Sequence, residues 1–344
     1  MGALSGIGDT NPNITPFDSP MVDVPQIQAA TASARAILSE MRRHVLGQDE
    51  TLALLLTTLL SGGHALMVGM PGLAKTKLAA CMAGLLGLSM ARVQCTPDLM
   101  PSDILGSEVY EEGAPEPFRF IPGPVFTHIL LVDEINRASP RTQSALLQAM
   151  QEKAVTVAGK TYPLPSPFHV LATQNPLEHL GTYPLPEAQL DRFLTHIQMD
   201  YPDPKTEEAI LMATTTGEEP PLTPVLTADA TRSLQAMIHA MPLGQAVVQA
   251  IVALCQSTRP ESPLAPEIVR RCVTYGAGIR AGQALMLAVR ARALVDGRFA
   301  PTVEDIVALA PAVLRHRIGL NHQALRDKVG PLDVIRAVVG GIRG

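Results

Sequence analysis

Tryptophan is absent from the 344 residues, and aromatic residues make up only 3%. Surfaces that stack single-stranded bases need exposed rings, so the chain lacks the platform such binders use. Positive charge is also short. The formal net charge of -5 argues against non-specific attraction to phosphate backbones, so no nucleic acid is expected as a partner. The four cysteines (Cys81, Cys95, Cys255, Cys272) have no CxxC or metal-finger spacing, and they read as buried reduced thiols of a cytosolic protein. No long apolar run is found near the start: Leu52 to Leu60 is interrupted by Thr57 and Thr58 and is too short to span a bilayer. The N-terminus shows no basic region followed by an apolar one, so the expectation is a soluble, cytoplasmic protein without membrane insertion.

What the chain has is aliphatic bulk. Apolar residues are 47% and charged residues 17%, enough to bury a large core, and the length suggests two domains. Charge is divided unevenly. From Arg259 onward thirteen Lys+Arg stand against seven Asp+Glu. That stretch is either a solvated basic surface or one that presents arginines to nucleotide phosphates or an acidic neighbour.

Residues 1–24, rich in Gly, Pro, Asn, Asp and Ser without apolar period, read as a flexible leader. Two helices are expected next, about Ile27 to Arg43 and then up to about Ser61, with Val45-Leu46-Gly47-Gln48 between them. Apolar β-type runs then alternate with helical ones at Ala65–Val68, Met90–Gln94, His128–Val132, Phe168–Ala172 and Thr195–Met199. The pattern predicts an α/β fold with a parallel five-stranded sheet covered on both faces. Two segments break the alternation: the Pro/Gly-rich, acid-dotted stretch 97–127, and 154–167, a hairpin around Ala158-Gly159. From about residue 203 to 344 only helices are expected, forming a smaller second domain after a 25–202 core. Thr227 opens one of them, and Thr302 with Asp305 resembles a capping box.

Gly69-Met70-Pro71-Gly72-Leu73-Ala74-Lys75-Thr76 follows a predicted strand and opens a helix, the context a phosphate-binding loop requires. Gly69 and Gly72 let backbone N–H groups approach an anion, and the helix N-terminus adds partial positive charge. Lys75 would reach the β- and γ-phosphates of ATP, and Thr76 would ligate Mg²⁺. Ala74 stands where the general motif has Gly, which is tolerable only if its backbone is already helical. Asp133 and Glu134 end a buried strand, where adjacent carboxylates have little place unless solvated or used. Asp133 would bind the Mg²⁺ shell and Glu134 would orient the attacking water. Asn175 ends another such strand and either holds that water or caps a turn before Pro176.

Asp-Glu-Ile-Asn-Arg-Ala (133–138), Gln-Ser-Ala-Leu-Leu-Gln-Ala-Met-Gln-Glu (143–152) and Ala-Thr-Gln-Asn-Pro through Leu-Asp-Arg-Phe (172–193), together with the loop, resemble the MoxR family of AAA+ ATPases over roughly residues 25 to 340. The resemblance makes Ala74 a family trait. It implies Walker A at Lys75 and Thr76, Walker B at Asp133 and Glu134, and sensor 1 at Asn175. It also implies an arginine finger at Arg192 for a neighbour's site, sensor 2 at Arg280, and Leu46-Gly47 near the adenine. Gly278 departs from the family's usual Gly-Ala-Ser-Pro-Arg before that arginine. The same resemblance makes 97–127 the helix-2 insert and 154–167 the pre-sensor hairpin. A salt bridge from Arg192 to Asp191 or Glu187 is the plainer reading of that residue. Arg137 suits an interface role or a local acid pair equally. The implied activity is ATP hydrolysis in a ring, expected to be a hexamer, that remodels or activates a protein client. A von Willebrand factor A-domain partner and metal or cofactor insertion are also implied. A slow nucleotide-gated assembly platform is the alternative.

Overall fold

The computed structural model describes residues 24–112, 117–177, 181–215 and 221–342. The expected leader lies outside them except for Val24, the first residue of a helix that runs to His44. A second helix, Asp49–Leu60, leads into the first strand. In chain order the strands are β1 (Ala65–Gly69), β2 (Met90–Gln94), β3 (Gly106–Tyr110), β4 (Phe118–Pro122), β5 (Ile129–Asp133), β6 (Ala154–Val157), β7 (Lys160–Pro163), β8 (His169–Gln174), β9 (Thr195–Met199), β10 (Val273–Tyr275) and β11 (Gly319–Leu320).

Five of them form one parallel sheet in the order β2-β5-β8-β1-β9. Its sequence explains the layering. Alternate residues of a strand face opposite sides, and here both sides are apolar. Ala65, Met67, Ile129, Leu131, Leu171 and Ile197 join one core with the helices Val24–His44, Asp49–Leu60 and Lys75–Leu85. Leu66, Val68, Leu130, Val132, Val170 and Ala172 join the other, under the helix Pro140–Glu152.

Both interruptions of the alternation carry hairpins. In the 97–127 stretch β3 pairs antiparallel with β4, and a short helix, Pro101–Leu105, precedes them. In 154–167 β6 pairs with β7 across Ala158 (φ 48°) and Gly159 (φ 81°), the left-handed pair that a tight two-residue turn demands. Phe120 stacks on Tyr162 with ring centroids 4.1 Å apart, which joins the two hairpins.

The helices after β9 include Ala228–Ala240, capped by Thr227, and Val303–Leu314, whose Thr302–Asp305 capping box forms. One expectation needs correcting. The segment is not helical throughout, because β10 and β11 pair antiparallel. At three and two residues they are too short for an apolar alternation to show. Helices Gln245–Ser257, Ile279–Val295, Val303–Leu314 and Pro331–Gly340 share their own core. Helix Ala228–Ala240 instead packs Leu234 and Ile238 into the core beneath the sheet. All four cysteines are buried and none is in a disulfide. Among the described residues no single helix is long and apolar enough to cross a membrane.

The junction of sheet and helices holds buried histidines. His64 Nδ1 accepts from the Val170 amide at 2.9 Å, and His169 donates from Nδ1 to the Gly63 carbonyl at 2.8 Å while Gln235 reaches its Nε2 at 3.0 Å. Burial holds His64 down to about 3 and His169 down to about 4. Both are neutral in the fold, whereas in the unfolded chain they take a proton near pH ~6.5. Their contribution to stability is complete above that pH and is lost as pH falls towards the folded values. The loss is about 1.4 kcal/mol per pH unit for each. The urea midpoint is therefore expected to drop between about pH 7 and pH 5, and an unchanged midpoint would show that these rings can protonate in place.

Candidate functional site

Carboxyl ends of parallel strands are where open α/β sheets receive ligands, and β1, β5 and β8 bring the predicted residues to that edge. β1 ends at Gly69 and the helix Lys75–Leu85 begins six residues on. The two glycines of the loop differ in purpose. A Cβ at Gly72, which has φ 86°, would meet nothing within 4 Å, so that peptide is open to a ligand. A Cβ at Gly69 would lie 2.6 Å from the Met199 carbonyl oxygen, so Gly69 is there for the close approach of β9, not for an anion. Leu73 is buried in the core beneath the sheet and anchors the loop, while Met70 is half-buried and Pro71 exposed.

Ala74 does not have the right-handed helical backbone that its Cβ calls for. It sits at φ 55°, ψ 25°, in the left-handed region, at a cost of roughly 1–2 kcal/mol for a residue with a Cβ. The chain must swing from strand exit to helix entry there, and the exposed methyl confines the strain to its own backbone. Lys75 Nζ donates to the Gly69 carbonyl and, at 3.4 Å, to the Gln174 carbonyl, which bridges the ends of β1 and β8. Thr76 is half-buried one residue on.

Beside the loop lies a cavity of about 430 Å³, lined in part by Val45, Leu46, Pro71, Gly72, Tyr201 and Ile210. Its size and mostly apolar wall suit a nucleotide base and ribose. Leu46 is one of its lining residues. Gly47 is not among the lining residues: at φ 72° it turns the chain, and a Cβ on it would meet Thr206 Cγ2 at 2.3 Å.

The acids follow from β5. Asp133 is buried, and its Oδ1 accepts from Thr173 Oγ1 at 3.0 Å while Oδ2 accepts from Arg92 Nε at 2.6 Å. Glu134 adopts φ 55°, a second left-handed residue with a side chain, and its amide donates to Thr173 Oγ1 at 3.0 Å. Its carboxylate accepts from Gln94 Nε2 at 3.0 Å and from Arg137 at 2.9 Å. Arg137 thus makes the local acid pair. Burial, with the charges of Asp133 and Glu134 behind it, pushes the neighbouring Cys95 thiol up to about 12. The oxygen donors Thr76 and Asp133 are the hard, sparse set that suits Mg²⁺, which keeps waters and phosphate oxygens as its other ligands. Among the described residues no group of three or more His, Cys, Asp or Glu could hold a metal ion by itself. Asn175 is buried, and its side-chain oxygen accepts from the Leu177 amide at 3.2 Å, a turn cap. What it retains for water or phosphate is its NH₂ donor.

Arg192 and Arg280 lie elsewhere. They line a cavity of about 300 Å³ together with Ser61, Gly62, Gly63 and His64, the residues just before β1. That is the end of β1 opposite the phosphate loop, about 16 Å away for five extended residues. Arg192 donates from Nη1 to the Leu147 carbonyl at 2.5 Å, and its buried Nε has no partner. No ion pair to Asp191 or Glu187 is seen for it. Asp191 is occupied by Arg317 at 2.7 Å and approached by Arg280 at 3.9 Å.

Sequence reasoning missed Arg92, Gln94, Thr173 and Arg317. Arg92 and Gln94 stand two apart on one face of β2, and Gln94 is in register with Asp133. A signal was present there, since polar long side chains at alternate positions of an apolar strand point to something that needs them.

A phosphate loop and an acid pair on the carboxyl edge of a parallel sheet, with a helical region behind it, define a P-loop NTPase. A family model described as the ATPase family associated with various cellular activities (AAA) matches residues 64–195, and one described as the AAA lid domain matches 265–338. The chain is 43% identical to a protein named chaperone MoxR1 of Mycobacterium tuberculosis, over 89% of this chain and 80% of that protein. It is 32% identical to the protein MoxR of Methylorubrum extorquens, over 87% and 91%. The crystal structure of a candidate ATPase from Cytophaga hutchinsonii matches with a TM-score of 0.85 and 34% identity, covering 92% of this chain and 96% of that one. The chain belongs to the MoxR family of AAA+ ATPases.

Proposed function

We propose that this chain hydrolyses ATP with Mg²⁺ in a ring of identical subunits, a hexamer, and uses the cycle to remodel or activate a protein client in the cytoplasm. The observation that carries it is the division of the site: the phosphate loop and acids lie at one end of β1, and Arg192 with Arg280 at the other. Neither half alone offers everything phosphoryl transfer needs, and two copies placed side by side do.

In this reading the open peptide at Gly72 and the first amides of helix Lys75–Leu85 hold the phosphates. Lys75 leaves the Gly69 and Gln174 carbonyls for the β- and γ-oxygens. Thr76 and Asp133 hold Mg²⁺, which offsets phosphate charge. Glu134 orients and polarises water once freed from Gln94 and Arg137, and Asn175 offers its NH₂ group. Arg192 of a neighbour meets the charge that develops during transfer, and Arg280 comes with it. Core and lid divide near residue 203, and the hairpins of 97–127 and 154–167 face the client. A von Willebrand factor A-domain protein is the proposed partner, and metal or cofactor insertion the proposed outcome for some clients.

The grip of Gln94 and Arg137 on Glu134 favours a second reading, a slow switch that binds its partner while ATP stays whole. Glu134→Gln separates the two. That chain is expected to bind ATP, retain a co-purifying client and fail to activate it. Full client activation with trapped ATP would establish the switch and sink the motor.

A further inference from the structure

Arg317 is the most fully committed side chain near the second cavity. It follows helix Val303–Leu314, and only 4% of its side chain is exposed. Its guanidinium has five N–H donors, and all are used. Nε donates to Asp191 Oδ1 at 2.7 Å. Nη2 donates to the Asp191 carbonyl at 3.2 Å and the Phe193 carbonyl at 2.7 Å. Nη1 donates to the Leu194 carbonyl at 3.1 Å and the Val313 carbonyl at 2.5 Å. His316 adds a bond from Nε2 to the Phe193 carbonyl at 3.0 Å. The backbone on both sides of Arg192 is thus held by one side chain from the lid.

Burying an arginine is costly unless every donor is met, and a hydrophobic residue could fill the same space. What the planar fork adds is geometry. Three carbonyls of a four-residue stretch are fixed in one plane of reference, and Asp191, held by the same fork, faces Arg280 at 3.9 Å. Arg192 and Arg280 are the two that can reach outward: Arg280 is half exposed, and Arg192 is partly exposed although its Nε is buried without a partner. Arg317 itself lines the cavity but has no donor left with which to bind a ligand, and its side chain is almost wholly buried.

We infer that Arg317 is a positioning residue that sets Arg192 and Arg280, through Asp191 and the 191–194 backbone, for their work on a neighbouring subunit's nucleotide. The inference rests on the trans role proposed for Arg192. It makes the lid the part of the chain that aims the outgoing arginine.

Arg317→Lys tests it, because lysine keeps the charge but has three donors and no fork. The variant is expected to bind ATP with unchanged affinity and KM. Its kcat should fall about 10²-fold, the scale of a ~1 Å misplacement. Mixing it with Lys75→Ala subunits should restore activity, since the first supplies an intact loop and the second an intact arginine pair. A merely structural role would lower both partners' contribution and give no recovery. Arg192→Ala mixed with Lys75→Ala runs in parallel. Recovery there with an unchanged kcat for Arg317→Lys would overturn the positioning role and leave the trans arginine standing. No recovery for Arg192→Ala would remove the trans arginine and the inference with it. Should Arg317→Lys not fold, Asp191→Asn takes its place, with a smaller loss of kcat and the same recovery expected and a wild-type kcat overturning the inference.

Discussion

Arg192→Ala is expected to leave ATP binding nearly intact and to lower turnover by about 10³-fold or more. Binding survives because Arg192 lies at the far end of β1 from its own phosphate loop and touches none of the residues around Lys75. Turnover falls because charge builds on the transferring phosphoryl group only as the reaction proceeds, and a fixed cation at that point stabilises the transition state more than bound ATP. Folding should be little affected. The side chain gives up one bond to the Leu147 carbonyl, and its Nε has no partner to lose. Normal hydrolysis by Arg192→Ala at ring-forming concentrations would end the assignment.

Lys75→Ala is expected to abolish ATP binding, measured by titration calorimetry. Its Nζ rests on the Gly69 and Gln174 carbonyls, both at the strand ends that flank the loop, so the charge is already held where phosphates would arrive. Each hydrogen bond to a charged group is worth roughly 1.5–3 kcal/mol, so losing two from phosphate oxygens weakens binding by about two orders of magnitude or more. Binding within a few-fold of wild type would show that the loop amides alone carry the nucleotide.

The sheet was legible because its five strands are apolar on both faces, and a run such as Ile129–Val132 has no other use in a chain of this kind. The phosphate loop and acid pair were legible because their chemistry is local, within eight and two consecutive residues. What stayed hidden depends on partners far apart in sequence. Nothing around Arg317 announces that its acceptors lie at Asp191 and Phe193. Nothing in Met90–Gln94 alone says that Arg92 meets Asp133. Gly47 and Gly69 looked like ligand glycines, yet what requires them is Thr206 and Met199, more than a hundred residues away. Ala74 shows the reverse limit: its place in the motif was clear, but its left-handed backbone was not. The pair β10 and β11 was missed for want of length.

Under the proposed trans role of Arg192, the placement of the loop and the arginine pair at opposite ends of β1 has a consequence for symmetry. A two-fold dimer joins like surface to like surface, so it cannot bring one copy's arginines onto another copy's loop while these occupy different faces. Contacts must run head to tail. An open row then always leaves one loop without arginines at one end and one arginine pair without a loop at the other. Only closure makes every copy competent, so specific activity should track the fraction of chains in closed assemblies rather than the total chain concentration.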